Sequence, residues 1–180
     1  RLDEQSWKTP VGSPPMEHGC LTAPAPSGEA SLHVRYDAQG MYLGLRAGQP
    51  IAAPRILLVL LSRFSVPMTS SPRWIVQIDG QAVTASQMTR SGRPNAWACD
   101  WKVVESGGGS VWEAEIFVPF GAPGAVDSIG PGNRLRLNCT LSEMVGEEAR
   151  PVANWGAEDP ANIEHGVLLV AGGPAESETP

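Results

Sequence analysis

The sequence predicts an all-β fold, an antiparallel β-sandwich of jelly-roll-like type with about nine to eleven short strands. Three observations carry this. Apolar and polar residues alternate with period two in the runs 31–37, 41–47, 73–79, 110–118 and 133–141. Gly 20 and Pro 17 punctuate the chain between such runs. No segment sustains a 3.6-residue apolar period with caps over four turns. At 180 residues the chain is long enough for a two-layer core.

The elements follow in order. Residues 9–28 are crowded with proline and glycine, which places them at an edge or on the surface, with a short strand near 16–21. SLHVRYD (31–37) sets Leu32, Val34 and Tyr36 against His33 and Arg35, and MYLGLRA (41–47) follows a tight AQG link, so the two form a hairpin. RILLVLLSRF (55–64), flanked by Pro54 and Pro67, reads as a buried strand. RWIVQIDG (73–80) alternates and ends in an Asp-Gly turn signal, and 81–88 continues the meander. Residues 90–99 read as loop. DWKVVE (100–105) and SVWEAEIFVP (110–119) form a hairpin across GGG. NRLRLNCTLSEM (133–144) puts Leu135, Leu137, Cys139 and Leu141 on one face, 146–164 reads as a polar loop, and HGVLLVA (165–171) is the last strand. The predicted core holds Trp7, Val34, Tyr36, Leu43, Leu45, Ile78, Trp112, Ile116, Val118, Leu135 and Leu137. Residues 1–170 form one domain, and 171–180, small and polar, read as a linker or tail. The start at Arg1 reads as an excised or processed chain.

Composition excludes several classes. The net charge is −6 and no basic block exists, which argues against nucleic acid and against anionic polysaccharide. The longest uncharged apolar run, 56–61, is too short for membrane insertion. Cys20, Cys99 and Cys139 form no CxxC pair and leave one disulfide or three thiols equally open. His18, His33 and His165 lie far apart, so no transition-metal site is expected.

Catalytic chemistry finds little support. Glu113 and Glu115 are explained by alternation, since they lie with Phe117 opposite Trp112, Ala114, Ile116 and Val118. A glycosidase needs a second carboxylate at a defined separation, and nothing in the sequence fixes Asp79, Asp100 or Glu143 relative to Glu115. Gly107–Gly109 lacks the Lys-Ser/Thr of a phosphate loop, and no Gly-x-Ser-x-Gly elbow is present. Asn138-Cys139-Thr140 fits the glycosylation sequon but reads more simply as structural. The chain is expected not to be an enzyme.

GGGSVWEAEIFVPF resembles the central signature of the family 9 carbohydrate-binding modules within the DOMON-like β-sandwiches, with Trp112, Glu115, Ile116, Pro119 and Phe120 at matching positions. LDEQSW (2–7), VRYDAQGMYLGLRA (34–47), PGNRLRLNCT (131–140) and NWG before EHGVLLV (164–170) resemble other parts of the family in the same order. Residues 48–61 depart from it, having no acid and no tryptophan, and His165 stands where the family usually has an aromatic. The resemblance implies a non-catalytic carbohydrate-binding module of a larger secreted or surface-attached bacterial multidomain protein, extracellular, periplasmic or on the cell surface. It places Trp7 and Trp112 in the core. It also implies a structural calcium near the N-terminal loops, where Asp3, Glu4 and Glu17 are the acids at hand, with Asp37 in a turn.

Stacking a pyranose needs flat aromatic faces rimmed by hydrogen-bonding groups. The expected site is Trp155 and Trp97, with Trp74 as a further ring and Arg93, Asn95 and Asn154 as polar rim, for a neutral oligosaccharide or polysaccharide. Trp155, in ANWGAEDP, is a stacking face or a core plug; Trp101 reads as core or sheet surface. The alternative is a structural or interaction module of the same fold, packing against other domains of its chain without binding glycan.

Overall fold

The computed structural model describes residues 20–25, 28–36, 39–61, 73–88, 94–96, 100–108, 110–120, 134–156 and 167–170. Among them every regular element is a strand, and all pairings are antiparallel. The first sheet contains β1 (Cys20–Ala25), β2 (Gly28–Tyr36), β3 (Gly40–Ala47), β8 (Lys102–Gly108) and β9 (Val111–Pro119), in the order β1-β2-β3-β9-β8. The second contains β4 (Pro54–Leu61), β5 (Arg73–Asp79), β6 (Ala82–Met88), β7 (Pro94–Ala96), β10 (Arg134–Val145) and β11 (Glu148–Trp155), in the order β11-β10-β4-β5-β6-β7. The last strand, β12 (Val167–Val170), pairs with β10. The predicted antiparallel β-sandwich is the observed fold.

Alternation decides which face each strand buries. Leu32, Val34, Leu43, Leu45, Trp112, Ile116 and Val118 point inward from the first sheet; Ile56, Leu58, Val76, Ile78, Leu137 and Leu141 point inward from the second. They meet in one cluster, the interior of a two-sheet sandwich. Eight of the predicted core residues, Val34, Leu43, Leu45, Ile78, Trp112, Ile116, Val118 and Leu137, are buried there. The side chains of Trp7, Tyr36 and Leu135 lie outside the description.

Two hairpins close through glycines with positive φ. Gly80 (φ 59°) stands between Asp79 and its partner Ala82, and Gly146 (φ 66°) between Val145 and its partner Glu148. Glycine at the first central position is what a two-residue II′ turn requires. The crossover from β3 into β4 is pinned to the end of β10: Met144 N donates to Ala53 O at 2.8 Å, and Ala52 N donates to Glu143 Oε1 at 3.0 Å.

Three elements differ from expectation. The strand near 16–21 is Cys20–Ala25, with Pro24 tolerated because β1 is an edge. Residues 94–96, read as loop, form the short edge strand β7, again beginning with a proline. The stretch 148–155, read as polar loop, is β11. Its register with β10 runs Leu141↔Ala153 and then Ser142↔Pro151, so Val152 is the extra residue of a bulge. The bulge puts Val152 and Ala153 in the core side by side and breaks the alternation that marks a strand in sequence. These additions bring the count to twelve strands among the described residues.

Candidate functional site

The outward face of the first sheet is built by the odd positions of β9 and the even positions of β3 and β8. Register aligns them in rows across the strands. One row reads Arg35–Tyr42–Phe117–Lys102, and the next His33–Gly44–Glu115–Val104. Tyr42 and Phe117 form a tilted aromatic pair with ring centroids 4.9 Å apart and planes at 38°. The Phe117 ring lies against the backbone of Gly40, where a Cβ would come within 2.5 Å of Cε2. Any larger residue at position 40 would therefore lift the ring off the sheet.

A groove of about 320 Å³ opens beside this pair, lined by Gln39, Tyr42, Lys102, Val104, Glu115 and Phe117. It lies at the small end of ligand-site volumes. Its floor is ring and sheet, and its rim carries an amide, an ammonium, a carboxylate and a phenol. Val104 is 64% exposed on the groove wall.

Around the groove the polar groups are partly organised by one another. Ser31 Oγ and His33 Nε2 are 3.1 Å apart. Burial, and then the charge of Arg46, hold the His33 pKa below the ordinary histidine value, so the ring is neutral at pH 7. Arg46 Nε sits 3.7 Å from Glu113 Oε1. Burial also draws Arg35 below the usual guanidinium value, leaving it charged. On the inward side of β8, Glu105 has a buried Oε1 without a hydrogen bond, and burial raises its pKa.

No family model matches the chain, and no curated protein matches it. Among solved structures it is similar to the 2.70 Å crystal structure of a "putative carbohydrate-binding protein" from Bacteroides uniformis ATCC 8492. The identity is 11%, the TM-score 0.50, and the match covers 71% of this chain and 68% of that one. The shared feature is the β-sandwich.

Of the expected site residues, Trp74 and Asn95 stand in one row across Gln87, while Trp155 and Asn154 lie apart from them on β11. Trp155 is 3% exposed and belongs to the core, paired across from Cys139. Its side chain and that of Asn154 leave β11 on opposite faces, because strand neighbours alternate. Asn154 accepts a hydrogen bond from Thr140 Oγ1 at 3.3 Å on the outer face. Trp74 is partly buried and packs against the core. Asn95 is exposed on β7, at the opposite edge of the seven-stranded sheet from β11. Five strand spacings separate those edges, about 24 Å, too far for one small site. Arg93 and Trp97 lie outside the described residues, as do Asp3, Glu4, Glu17 and Asp37. Trp101, at 6% exposure, is core.

The other singled-out groups have structural partners. Asp79 accepts from Arg55 Nε at 2.5 Å and from Gln77 Nε2 at 2.7 Å, and these bonds outweigh burial and lower its pKa. Glu115 and Asp79 stand on the outer faces of different sheets, and Glu143 caps the crossover, so these carboxylates share no cleft. Asn138 is fully buried, so the folded chain leaves no space for a glycan on it. Among the described residues no group of three or more His, Cys, Asp or Glu could hold a metal, and no helix is long and apolar enough to cross a membrane.

The Tyr42–Phe117 pair had one signal in the sequence. Phe117 is an aromatic on the glutamate side of β9, and Tyr42 is out of phase with Leu43 and Leu45. Their adjacency depends on the pairing of β3 with β9, which local pattern does not encode.

Proposed function

We propose that this chain is a non-catalytic carbohydrate-binding module, and that the glycan lies on the outer face of the first sheet against Tyr42 and Phe117. The observation that carries the reading is the aromatic pair beside a groove rimmed by Gln39, Lys102 and Glu115. A pyranose ring presents C–H groups that pack on such rings, while its hydroxyls need donors and acceptors at the edge. The name of the Bacteroides uniformis protein points the same way. In this reading the chain is kin to the family 9 and DOMON-like modules. It serves as one domain, residues 1–170 with a tail, of an extracellular or surface-attached protein.

Calorimetric titration with neutral and uronic oligosaccharides tests it, comparing wild type with Phe117→Ala and Tyr42→Ala. Saturable binding that both substitutions abolish, with folding intact, is the expected result. Binding that survives both would move the site elsewhere.

A second reading is favoured by Val104, which lines the same groove and is 64% exposed. Here the face packs against a neighbouring domain and takes no sugar. The absence of binding to every oligosaccharide at millimolar concentration would select it.

A further inference from the structure

The aromatic pair is bracketed by cations. The four residues Arg35, Tyr42, Phe117 and Lys102 occupy successive strands in one row, so a positive group stands at each end of the rings. Side chains opposite one another on neighbouring strands lie within about 5.5 Å at Cβ. Lys102 is therefore the immediate neighbour of Phe117. It is exposed, and no carboxylate among the described residues pairs with it. Two acids lie on this part of the face. Glu113 is held by Arg46 at 3.7 Å, and Glu115 already has an interaction of its own.

A sugar seated on the Phe117 ring directs its ring substituents outward over the ring edge. The lysine stem is long enough to bring its ammonium to a substituent there. A charge-assisted bond to a carboxylate is roughly twice as strong as one to a neutral hydroxyl. A densely sulfated chain is the poorer match, because it needs a broad basic surface and the whole chain carries −6. The expectation of neutral sugars came from the lack of a basic run in the sequence. Register creates a cationic row that no run displays, since its members come from strands far apart in the chain.

We infer that the Tyr42–Phe117 face selects glycans bearing a carboxylate, namely oligosaccharides containing uronic acid, and that Lys102 is the residue that recognises the acid. This rests on the reading of the face as a glycan site. The probes are trigalacturonate, a glucuronate-containing oligosaccharide and an oligomannuronate, each beside its carboxyl-reduced neutral counterpart, titrated calorimetrically into the whole chain. At least one uronide binds about tenfold tighter than its reduced counterpart. The advantage shrinks in about 0.5 M salt, because a surface ion pair is screened. Lys102→Gln removes the difference between the two members of the pair, and Lys102→Glu reverses it.

Equal affinity within every pair, or an acid preference untouched in Lys102→Gln and Lys102→Glu, overturns the inference. If Phe117→Ala still abolishes binding in that case, the glycan face stands without it. Tighter binding of a sulfated oligosaccharide than of any uronide also overturns it. Binding of neutral oligosaccharides but of no uronide overturns the inference alone. Binding of neither class overturns both it and the proposed function.

Discussion

Gly156 lies so close to Asn138 that a methyl group on its Cα would overlap the amide Oδ1. Its φ of +126° is itself a conformation that side chains disfavour. The contact fastens the end of β11 to the fully buried Asn138 of β10. Gly156→Ala is expected to cost roughly 3 kcal/mol, from backbone strain plus displacement of a buried amide. Gly146→Ala, with positive φ but open space around it, should cost only about 1 kcal/mol. Urea unfolding with an unchanged m-value measures both. Equal costs would show that the Asn138 contact contributes nothing.

Trp155→Ala should behave as a core mutation. Removing a buried indole costs about 3–5 kcal/mol, and Trp112→Ala, at 2% exposure, should fall in the same range. A Trp155→Ala chain that kept its stability and lost only glycan affinity would restore the stacking role the sequence offered.

The Glu105 pKa is raised by burial from 4.5, so the folded chain holds its proton more tightly than the unfolded chain. Stability attached to that group is present below about pH 4.5 and is lost as pH rises through the folded pKa. Glu105→Gln is therefore expected to stabilise the protein at pH 7, with the gain vanishing in acid. His33 works in the opposite sense. Its pKa is lowered from 6.5, so its contribution is lost as pH falls below 6.5 toward the folded value. Denaturation midpoints from pH 4 to 8 for Glu105→Gln and His33→Gln separate the two. Parallel profiles for wild type and both variants would refute this account.

Burial raises the Cys139 thiol far above its ordinary pKa. In a Cys20→Ser, Cys99→Ser background, a thiol reagent should find no reactive group until the chain is unfolded. Fast labelling under native conditions would place Cys139 at the surface.

The fold was legible because inward-facing positions of the long strands alternate without interruption, as from Trp112 to Val118. β11 escaped because the Val152 bulge and Pro151 erase that pattern. The site was less legible for a related reason. Tryptophan draws the eye as a sugar platform, yet the same apolar area favours burial, and Trp101, Trp112 and Trp155 all serve the core. Tyr42 and Phe117 become a pair only when strands distant in sequence meet.

β10 also sets an order of events during synthesis. One of its sides serves two clients, β12 along Arg134–Leu137 and β11 along Cys139–Val145. Its other side waits for β4, already made. The β11 hairpin can close as soon as its own residues emerge. The first third of β10 stays an open template until 167–170 have left the ribosome, and an open strand edge recruits whatever extended chain is nearest. A released chain ending just before Val167 would carry that edge bare, with an interior leucine, Leu137, beside it. Such a fragment should pair through that edge with further copies of itself.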